Sequence, residues 1–263
     1  MADTKEEKKL GLEPSQVPTP LAPLVNGIKK AFGSSNHADL TISCEGREWK
    51  VHKLVLCAQS EWFQKTCAGS WKEGQESKIE LAEDDPQVVD AMLHYLYNFD
   101  YGDYGIGQEH CPPIVLDVRV FAIAGKYFLA NLKDLAAKKF ETRAAEEWKG
   151  PGFVAAITEA YSIIPEHDDT IRKILVRIAR EHASQLLDPE QDHGDLRAVA
   201  GEMSAFARDL ATALACPHLS GSTYCCPGCD QLFLWDDSNS EEFGCPQGCY
   251  LEDRVWWLTY QRA

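Results

Sequence analysis

Two closely spaced cysteine pairs near the C-terminus constrain this chain more than any other feature of its sequence. Cys226-Pro-Gly-Cys229 is followed by fifteen residues and then by Cys245-Pro-Gln-Gly-Cys249. Four thiolates held about 2.3 Å from one zinc ion need two tight turns, and proline and glycine between the cysteines allow such turns. The short segment 216–263 buries little core by itself, so a bound metal would supply folding free energy. The spacing predicts a structural Zn²⁺ site in a zinc-ribbon-like β module.

Other ligands and another kind of cross-link remain open at this point. Cys216, His218 and Cys225 lie nearby, and any of them could replace one of the four cysteines. A pair of disulfides is the rival arrangement, which a reducing compartment disfavours. A catalytic zinc site would keep an open position and usually include histidine or carboxylate, so four cysteines favour a closed, structural site. We expect Leu232–Trp235 to form a strand over the metal. Residues 255–258 are expected to close the module or pack on the preceding helices, and such an aromatic run could also hold a partner.

The charge of the chain argues against nucleic acid as a partner. Its 26 lysines and arginines are outnumbered by 41 acidic residues, which gives a formal net charge of −15. From Cys216 onward seven acids stand against two arginines, and four thiolates around one zinc ion would add two more negative charges. Phosphate backbones are bound by clustered cations, so we expect protein partners and no DNA or RNA.

The sequence contains no sign of a membrane span or a secretory signal. No apolar run approaches the ~18 residues that a bilayer requires. Charges alternate through the N-terminus, MADTKEEKKLGLEPS, which lacks the apolar centre of a signal peptide. We therefore expect an intracellular protein without a membrane partner, in the nucleus or the cytoplasm, where thiols stay reduced.

Hydrophobic periodicity predicts an α+β fold whose strands come first. Residues 1–35 are polar and contain four prolines, so they are expected to form a disordered segment. Period-two alternation predicts a strand at Leu40–Cys44, a Glu45-Gly46 turn, a second strand through Trp49 and Val51, and a third strand at Ser77–Leu81.

Helical periodicity dominates the rest of the chain as far as Leu214. Asp85 and Pro86 predict the N-cap and first turn of a helix with an apolar stripe. A glycine-proline-glycine run at 150–152 predicts a break before a purely helical region. Before the break, the predicted helical segments are Lys53–Ala58, Glu61–Cys67, the helix that begins at Pro86, Leu116–Tyr127 and Leu132–Phe140. After the break they are Phe153–Tyr161, Ile171–Leu186 and Leu196–Leu214.

Several segments in this order resemble a BTB/POZ domain. They are HADLTI at 37–42, WKVHKLVL at 49–56, SEWF at 60–63, ELAEDDP at 80–86, LHYLY at 93–97 and RVFAIAGKY at 119–127. The resemblance implies a BTB/POZ fold, a small β-sheet with a helical cluster, over residues 36–141. A helical extension over 142–215 and the cysteine-rich module over 216–263 would follow it. A Gly/Tyr-rich insertion between Tyr101 and Cys111 departs from the family pattern.

The resemblance also implies a role. BTB domains typically pair with themselves, and many hold a cullin-type ubiquitin ligase scaffold while another region holds the substrate. By position, Asp39 and Lys53 would lie at the charged pocket near the dimer contact. The same two residues could instead do no more than compensate each other's burial.

Trp71-Lys72-Glu73 fits the apolar-any-Glu pattern with which cullin-binding members of the family reach their partner. The triplet is common by chance, so its position inside the matched domain is what gives it weight. An exposed Trp71 would anchor a partner, because aromatic side chains dominate binding hot spots. Alternatively, Trp71 folds back onto the core.

No set of residues predicts an enzyme. His52 has no cysteine or serine partner at a recognisable spacing and is interpreted as structural. Cys44, Cys57, Cys67 and Cys111 have no ligand spacing and are expected to be small apolar core residues. The resulting hypothesis is a non-enzymatic, self-associating adaptor that presents partners to a cullin-based ubiquitin ligase. The alternative is a scaffold or transcription-associated interaction protein without a ligase role.

Overall fold

The computed structural model describes residues 21–68, 77–102, 111–188, 196–215, 222–235, 242–245, 247–253, 256–257 and 259–262. Contacts divide the chain into two compact units, Met1–Ala136 and Ala137–Ala263. Each unit is described by itself below.

A three-stranded sheet stands at the start of the first unit. Strands β1 (Leu40–Cys44) and β2 (Arg47–Val51) pair antiparallel, and β3 (Lys78–Glu80) joins β1 in parallel, in the order β2-β1-β3. The turn between β1 and β2 is Glu45-Gly46, with both residues at positive φ. Two consecutive left-handed residues match the right-handed twist of a hairpin, which is why glycine stands there. The predicted hairpin and third strand are confirmed.

Helices pack around this sheet to form the core of the first unit. They are α1 (Ala22–Ala31), α2 (Lys53–Cys57), α3 (Glu61–Ala68), α4 (Pro86–Asn98) and α5 (Pro113–Lys126). The Asp85 carboxylate accepts a hydrogen bond from the Gln87 backbone N–H, and Pro86 begins α4, so the predicted cap is confirmed. Ile42, Met92, Leu96 and Val120 are fully buried, which places the core between the sheet and the two long helices.

Helix α1 lies where the sequence predicted disorder. Residues 22–31 are helical and Pro23 lies in the first turn, a position where proline favours a helix, so the expectation of disorder is wrong for this stretch. Phe32 at its end contacts the rings of His94 and Tyr97, each at 5.3 Å between ring centroids. The helix has no fully buried residue. Because an isolated helix of ten residues is marginal in water, its stability depends on docking against α4.

The second unit begins with a series of helices. Their bounds are α6 (Ala130–Glu147, which starts in the first unit), α7 (Pro151–Ile163), α8 (Thr170–Glu181), α9 (Ala183–Leu186), α10 (Leu196–Glu202) and α11 (Ser204–Ala215). The predicted break at Gly150-Pro151 is confirmed, with Gly150 at the N-cap of α7. The stripe Ile171–Leu186 is interrupted at His182, whose ring stacks on Trp148 at 3.8 Å between centroids. The segment Leu196–Leu214 is likewise interrupted, at Met203.

Short strands form the cysteine-rich segment. Strands β4 (Ser222–Cys225), β5 (Leu232–Trp235) and β8 (Gln261–Arg262) make an antiparallel sheet in the order β5-β4-β8. Strands β6 (Glu242–Gly244) and β7 (Leu251–Asp253) make a separate antiparallel hairpin. The predicted strand at Leu232–Trp235 and the predicted α+β class are confirmed.

No helix within the described ranges combines the length and the apolar character of a membrane span.

Candidate metal and partner-binding sites

Four cysteine sulfur atoms come together in the cysteine-rich segment. Each hairpin supplies a pair: Cys226 and Cys229 lie in the turn between β4 and β5, and Cys245 and Cys249 lie in the turn between β6 and β7. All four Sγ atoms lie within 4.8 Å of one another. The grouping of these four residues is the one that the spacing predicted.

The two turns hold their first cysteine in the same way. The Gly228 backbone N–H donates to the Cys226 Sγ, and the Gln247 backbone N–H donates to the Cys245 Sγ, both at 3.4 Å. Each acceptor lies two residues before its donor, so both turns aim an N–H at a sulfur. Such donors favour a thiolate over a thiol, which is the form that binds metal.

The thiols perturb one another's ionisation. Burial raises the pKa of Cys245, but hydrogen bonds from the Gln247 backbone and from neighbouring thiols outweigh it and lower that pKa to about 7. The Gln231 backbone lowers the pKa of Cys229, but burial and the neighbouring thiols raise it to about 12. One thiol ionises readily, but ionisation of a second is unfavourable because two negative charges at this separation repel. A divalent cation between the sulfurs would offset that repulsion.

The sulfur positions fit a tetrahedral metal ion. Zinc–sulfur bonds of about 2.3 Å place tetrahedral sulfurs about 3.8 Å apart. The Sγ atoms of Cys229 and Cys245 are 3.5 Å apart, and the remaining pairs fall within the same cluster. Cys225 is not in this cluster, and its Sγ donates to the Asp230 carbonyl at 3.8 Å. The other alternative ligands, Cys216 and His218, lie outside the described residues.

An aromatic core stands directly behind the cysteines. Tyr224 and Trp257 are fully buried together with Cys226 and Cys245, and Trp256 and Tyr260 pack against them. Trp257 therefore packs inside the module, as the role of closing the module predicts; Val255 and Leu258 lie outside the described residues.

The sequence did not predict the close approach of Tyr250 to Gly228. A Cβ at Gly228 would stand 2.8 Å from Cε2 of Tyr250 and 3.3 Å from Cβ of Cys249. Tyr250 thus covers the first turn, and its ring also contacts Trp256 at 5.3 Å between centroids. The signal that could have found this contact is the glycine next to Cys229, but a glycine there is equally explained by turn geometry.

The Asp39 side chain contacts the backbone of Lys53, and the two side chains do not shield each other from solvent. The Asp39 carboxylate accepts the Lys53 backbone N–H at 2.7 Å, while the Lys53 ammonium donates to the Ser77 hydroxyl at 3.1 Å. Asp39 is exposed and Lys53 is half-buried. The interpretation that the two charges compensate each other's burial is therefore wrong for the isolated chain. The exposed Leu54 follows Lys53 on α2.

Trp71 and Glu73 lie outside the described residues, as does most of the insertion that precedes Cys111. His52 has structural partners: its backbone N–H donates to the Tyr97 hydroxyl at 2.8 Å, and its ring nitrogens lie 2.9 Å from that hydroxyl and from the Asn36 carbonyl. Of the four scattered cysteines, Cys44 is buried and the others are half-buried.

Comparison with known proteins identifies one region. Residues 28–101 match the family model of the BTB/POZ domain. Kelch-like protein 40 of Xenopus tropicalis is 34% identical over 74 residues, which cover 28% of this chain and 12% of that protein. Human Kelch repeat and BTB domain-containing protein 4 is 39% identical over 61 residues, covering 23% of this chain and 11% of that protein. The region of similarity thus spans about one ninth to one eighth of the length of these relatives.

Among solved structures, the BTB domain of human gigaxonin aligns with 49% of this chain and 98% of its own length, at 21% identity and a TM-score of 0.35.

Proposed function

We propose that this chain, whose residues 28–101 match the BTB/POZ family model, is a non-enzymatic adaptor that binds other proteins and self-associates through its BTB domain. The family match is the observation that carries the proposal. We assign the domain to residues 36–141, a helical extension to 142–215 and a metal-held module to 216–263. The hydrogen bonds that occupy His52 support the non-enzymatic assignment, because they commit its ring to the fold.

Self-association is assigned to the surface around Asp39 and Lys53. In the isolated chain Asp39 is exposed, and Leu54 beside Lys53 is 81% exposed. An exposed leucine next to charged groups suits the edge of a contact, where apolar area is removed from water by a second copy.

The partner that we assign to Trp71 and Glu73 is a cullin scaffold, as in many proteins that this domain resembles. A pull-down with purified cullin tests it, using wild-type chain, Trp71→Ala/Glu73→Ala and the control Glu48→Ala, an exposed residue of β2. We expect the double variant to lose at least about tenfold in affinity, since an interface anchor contributes about 2 kcal/mol or more. Glu48→Ala should bind like wild type. Absence of binding by wild type would overturn the ligase role and leave the scaffold or transcription-associated role.

The metal that we assign to Cys226, Cys229, Cys245 and Cys249 is one structural Zn²⁺ per chain. Four thiolates complete its coordination, and the aromatic core then packs on a fixed pair of turns. A reduced, intracellular setting, nucleus or cytoplasm, would keep the ligands as thiols.

Metal analysis of protein purified under reducing conditions tests this assignment. We expect one zinc per chain in wild type and in Cys225→Ser, and loss of zinc in Cys229→Ser. Cys225 is the matched control because it neighbours a ligand and lies outside the sulfur cluster. Metal-free wild type, or zinc lost equally from both variants, would contradict the assignment.

A further inference from the structure

A broad groove crosses the helices of the second unit. It is formed by the end of α7, one face of α8 and one face of α11, and it encloses about 950 Å³. That volume is at the upper end of the range for small-molecule clefts and far exceeds what one small anion fills. We call it the cationic groove, after the five cations that line it: Arg172, Lys173, Arg177, Arg180 and Arg208.

The charge of the groove opposes that of the chain. Three acids, Glu166, Asp169 and Asp209, also line it, so the lining residues together carry a small positive formal charge in a protein of net charge −15. Arg177 contributes least to it, because it is paired with Glu141 at 2.6 Å. Four of the five cations lie on α8 at spacings that place them on one helix face. A positive groove on an acidic protein attracts anionic partners and raises their local concentration.

Two of the cations could exchange their present carboxylate partner for one from a ligand. The Lys173 ammonium pairs with Asp169 at 2.9 Å and the Arg208 Nε pairs with Asp209 at 3.5 Å, and both cationic side chains are 73% exposed. Exposed ion pairs contribute little to stability, so an incoming carboxylate can take over these cations at small cost.

Arg172 gives the groove a fixed wall. Its Nη2 donates to the Ile164 carbonyl at 2.6 Å, and its guanidinium lies over the Tyr161 ring at 4.9 Å from the centroid. The Tyr161 hydroxyl in turn donates to Asp209 at 2.8 Å. These contacts join α7, α8 and α11, so the groove is preformed and needs little ordering to bind.

Apolar side chains also line the groove. Ile164, Ile174, Val176, Ala205 and Ala213 contribute to it. A ligand that offers carboxylates alone would leave this surface in water, whereas a peptide that combines carboxylates with aliphatic side chains would cover both kinds of surface.

We propose that the cationic groove binds an acidic segment of a partner protein, in which Asp or Glu alternates with aliphatic residues. The carboxylates would pair with Lys173 and Arg208, and the aliphatic side chains would lie on the apolar lining. The inference rests on the helices of the second unit and depends on neither the cullin nor the zinc assignment.

Fluorescence anisotropy on the full, zinc-loaded chain tests the proposal. The probe is a fluorescein-labelled peptide of alternating Glu and Leu, compared with its Gln/Leu counterpart. We expect the Glu peptide to bind more tightly than the Gln peptide and to weaken as salt rises. Lys173→Glu/Arg208→Glu should reduce affinity about tenfold or more. The control is Lys138→Glu/Arg197→Glu, which makes the same charge change at two exposed residues outside the groove and should bind like wild type.

Equal melting temperatures of the two double variants establish that the groove variant is folded. If it is not, the single variant Arg208→Glu replaces it, with Arg197→Glu as its control. Three results would overturn the proposal: no binding of the Glu peptide, equal weakening by the groove and control variants, or full displacement of the peptide by millimolar inorganic phosphate at constant ionic strength. The last would mark a small-anion site.

Discussion

Gly228 is the residue at which the proposed zinc site depends most on the absence of a side chain. An added Cβ would meet Tyr250 at 2.8 Å and Cys249 at 3.3 Å, so the tyrosine would have to swing away and the turn would shift near a ligand. Overpacking of this kind costs about 1–3 kcal/mol, and disturbing the surroundings of a ligand weakens metal affinity about 10–100-fold.

We therefore predict that Gly228→Ala loses zinc to a competing chelator at least about tenfold more readily than wild type. Gly201→Ala is the control, because a Cβ at Gly201 meets nothing within 4 Å. It should leave zinc affinity unchanged. Identical zinc retention by the two variants would show that Tyr250 does not cover the turn in solution.

Asp85 has two separable roles at the start of α4. One carboxylate oxygen caps the helix through the Gln87 N–H at 2.7 Å, and the other pairs with Arg119 at 3.2 Å. The cap is worth about 0.5–2 kcal/mol, whereas a partly exposed ion pair contributes about 0–1 kcal/mol. Asparagine keeps the cap and loses the charge.

We predict that Asp85→Ala lowers the free energy of unfolding by about 1–2 kcal/mol and that Asp85→Asn lowers it by less than about 1 kcal/mol. Urea denaturation measures both values. Equal losses in the two variants would mean that the ion pair, and not the cap, stabilises the start of α4.

Single residues were predictable where their chemistry is local. The Asp85 cap and the four cysteines follow from spacing along the chain, because a cap and a metal turn each involve residues a few positions apart. The absence of an ion pair between the Asp39 and Lys53 side chains was not predictable. It depends on the hydrogen bond from the Lys53 ammonium to Ser77, a residue distant in the sequence. The cationic groove was missed for the same reason: its residues come from three helices.

At the scale of elements, strands and helices with clear hydrophobic periodicity were predicted correctly, whereas several helix ends were not. The hairpin, α4 and α5 follow from alternation, caps and apolar stripes. The interruption at His182 comes from its stacking on Trp148, a tertiary contact that no local pattern encodes. Helix α1 was missed because its few apolar residues gain stability only by docking on α4.

The docking of α1 is testable by hydrogen exchange. Phe32→Ala removes the ring that contacts His94 and Tyr97. We predict that amide exchange in α1 becomes about tenfold faster or more, because the helix is too short to persist without docking. Leu24→Ala, a change at a mostly exposed residue of the same helix, should have a much smaller effect. Unchanged exchange in Phe32→Ala would mean that other contacts hold α1.

At the scale of the whole molecule, each unit carries a different kind of surface. The first unit has the exposed Leu54 of α2 close to Asp39, and the second has a positive groove and a cysteine-rich module of acidic sequence. The surfaces together support a protein that works by holding other proteins.

Light scattering after size-exclusion chromatography, with zinc bound, tests self-association through the BTB domain most directly. We predict a mass twice that of the 29.4 kDa chain for wild type, and a shift toward the monomer mass for Asp39→Ala/Lys53→Ala. The control Glu48→Ala should keep the doubled mass. A monomer mass for wild type at every concentration, from micromolar to the highest attainable, would contradict it.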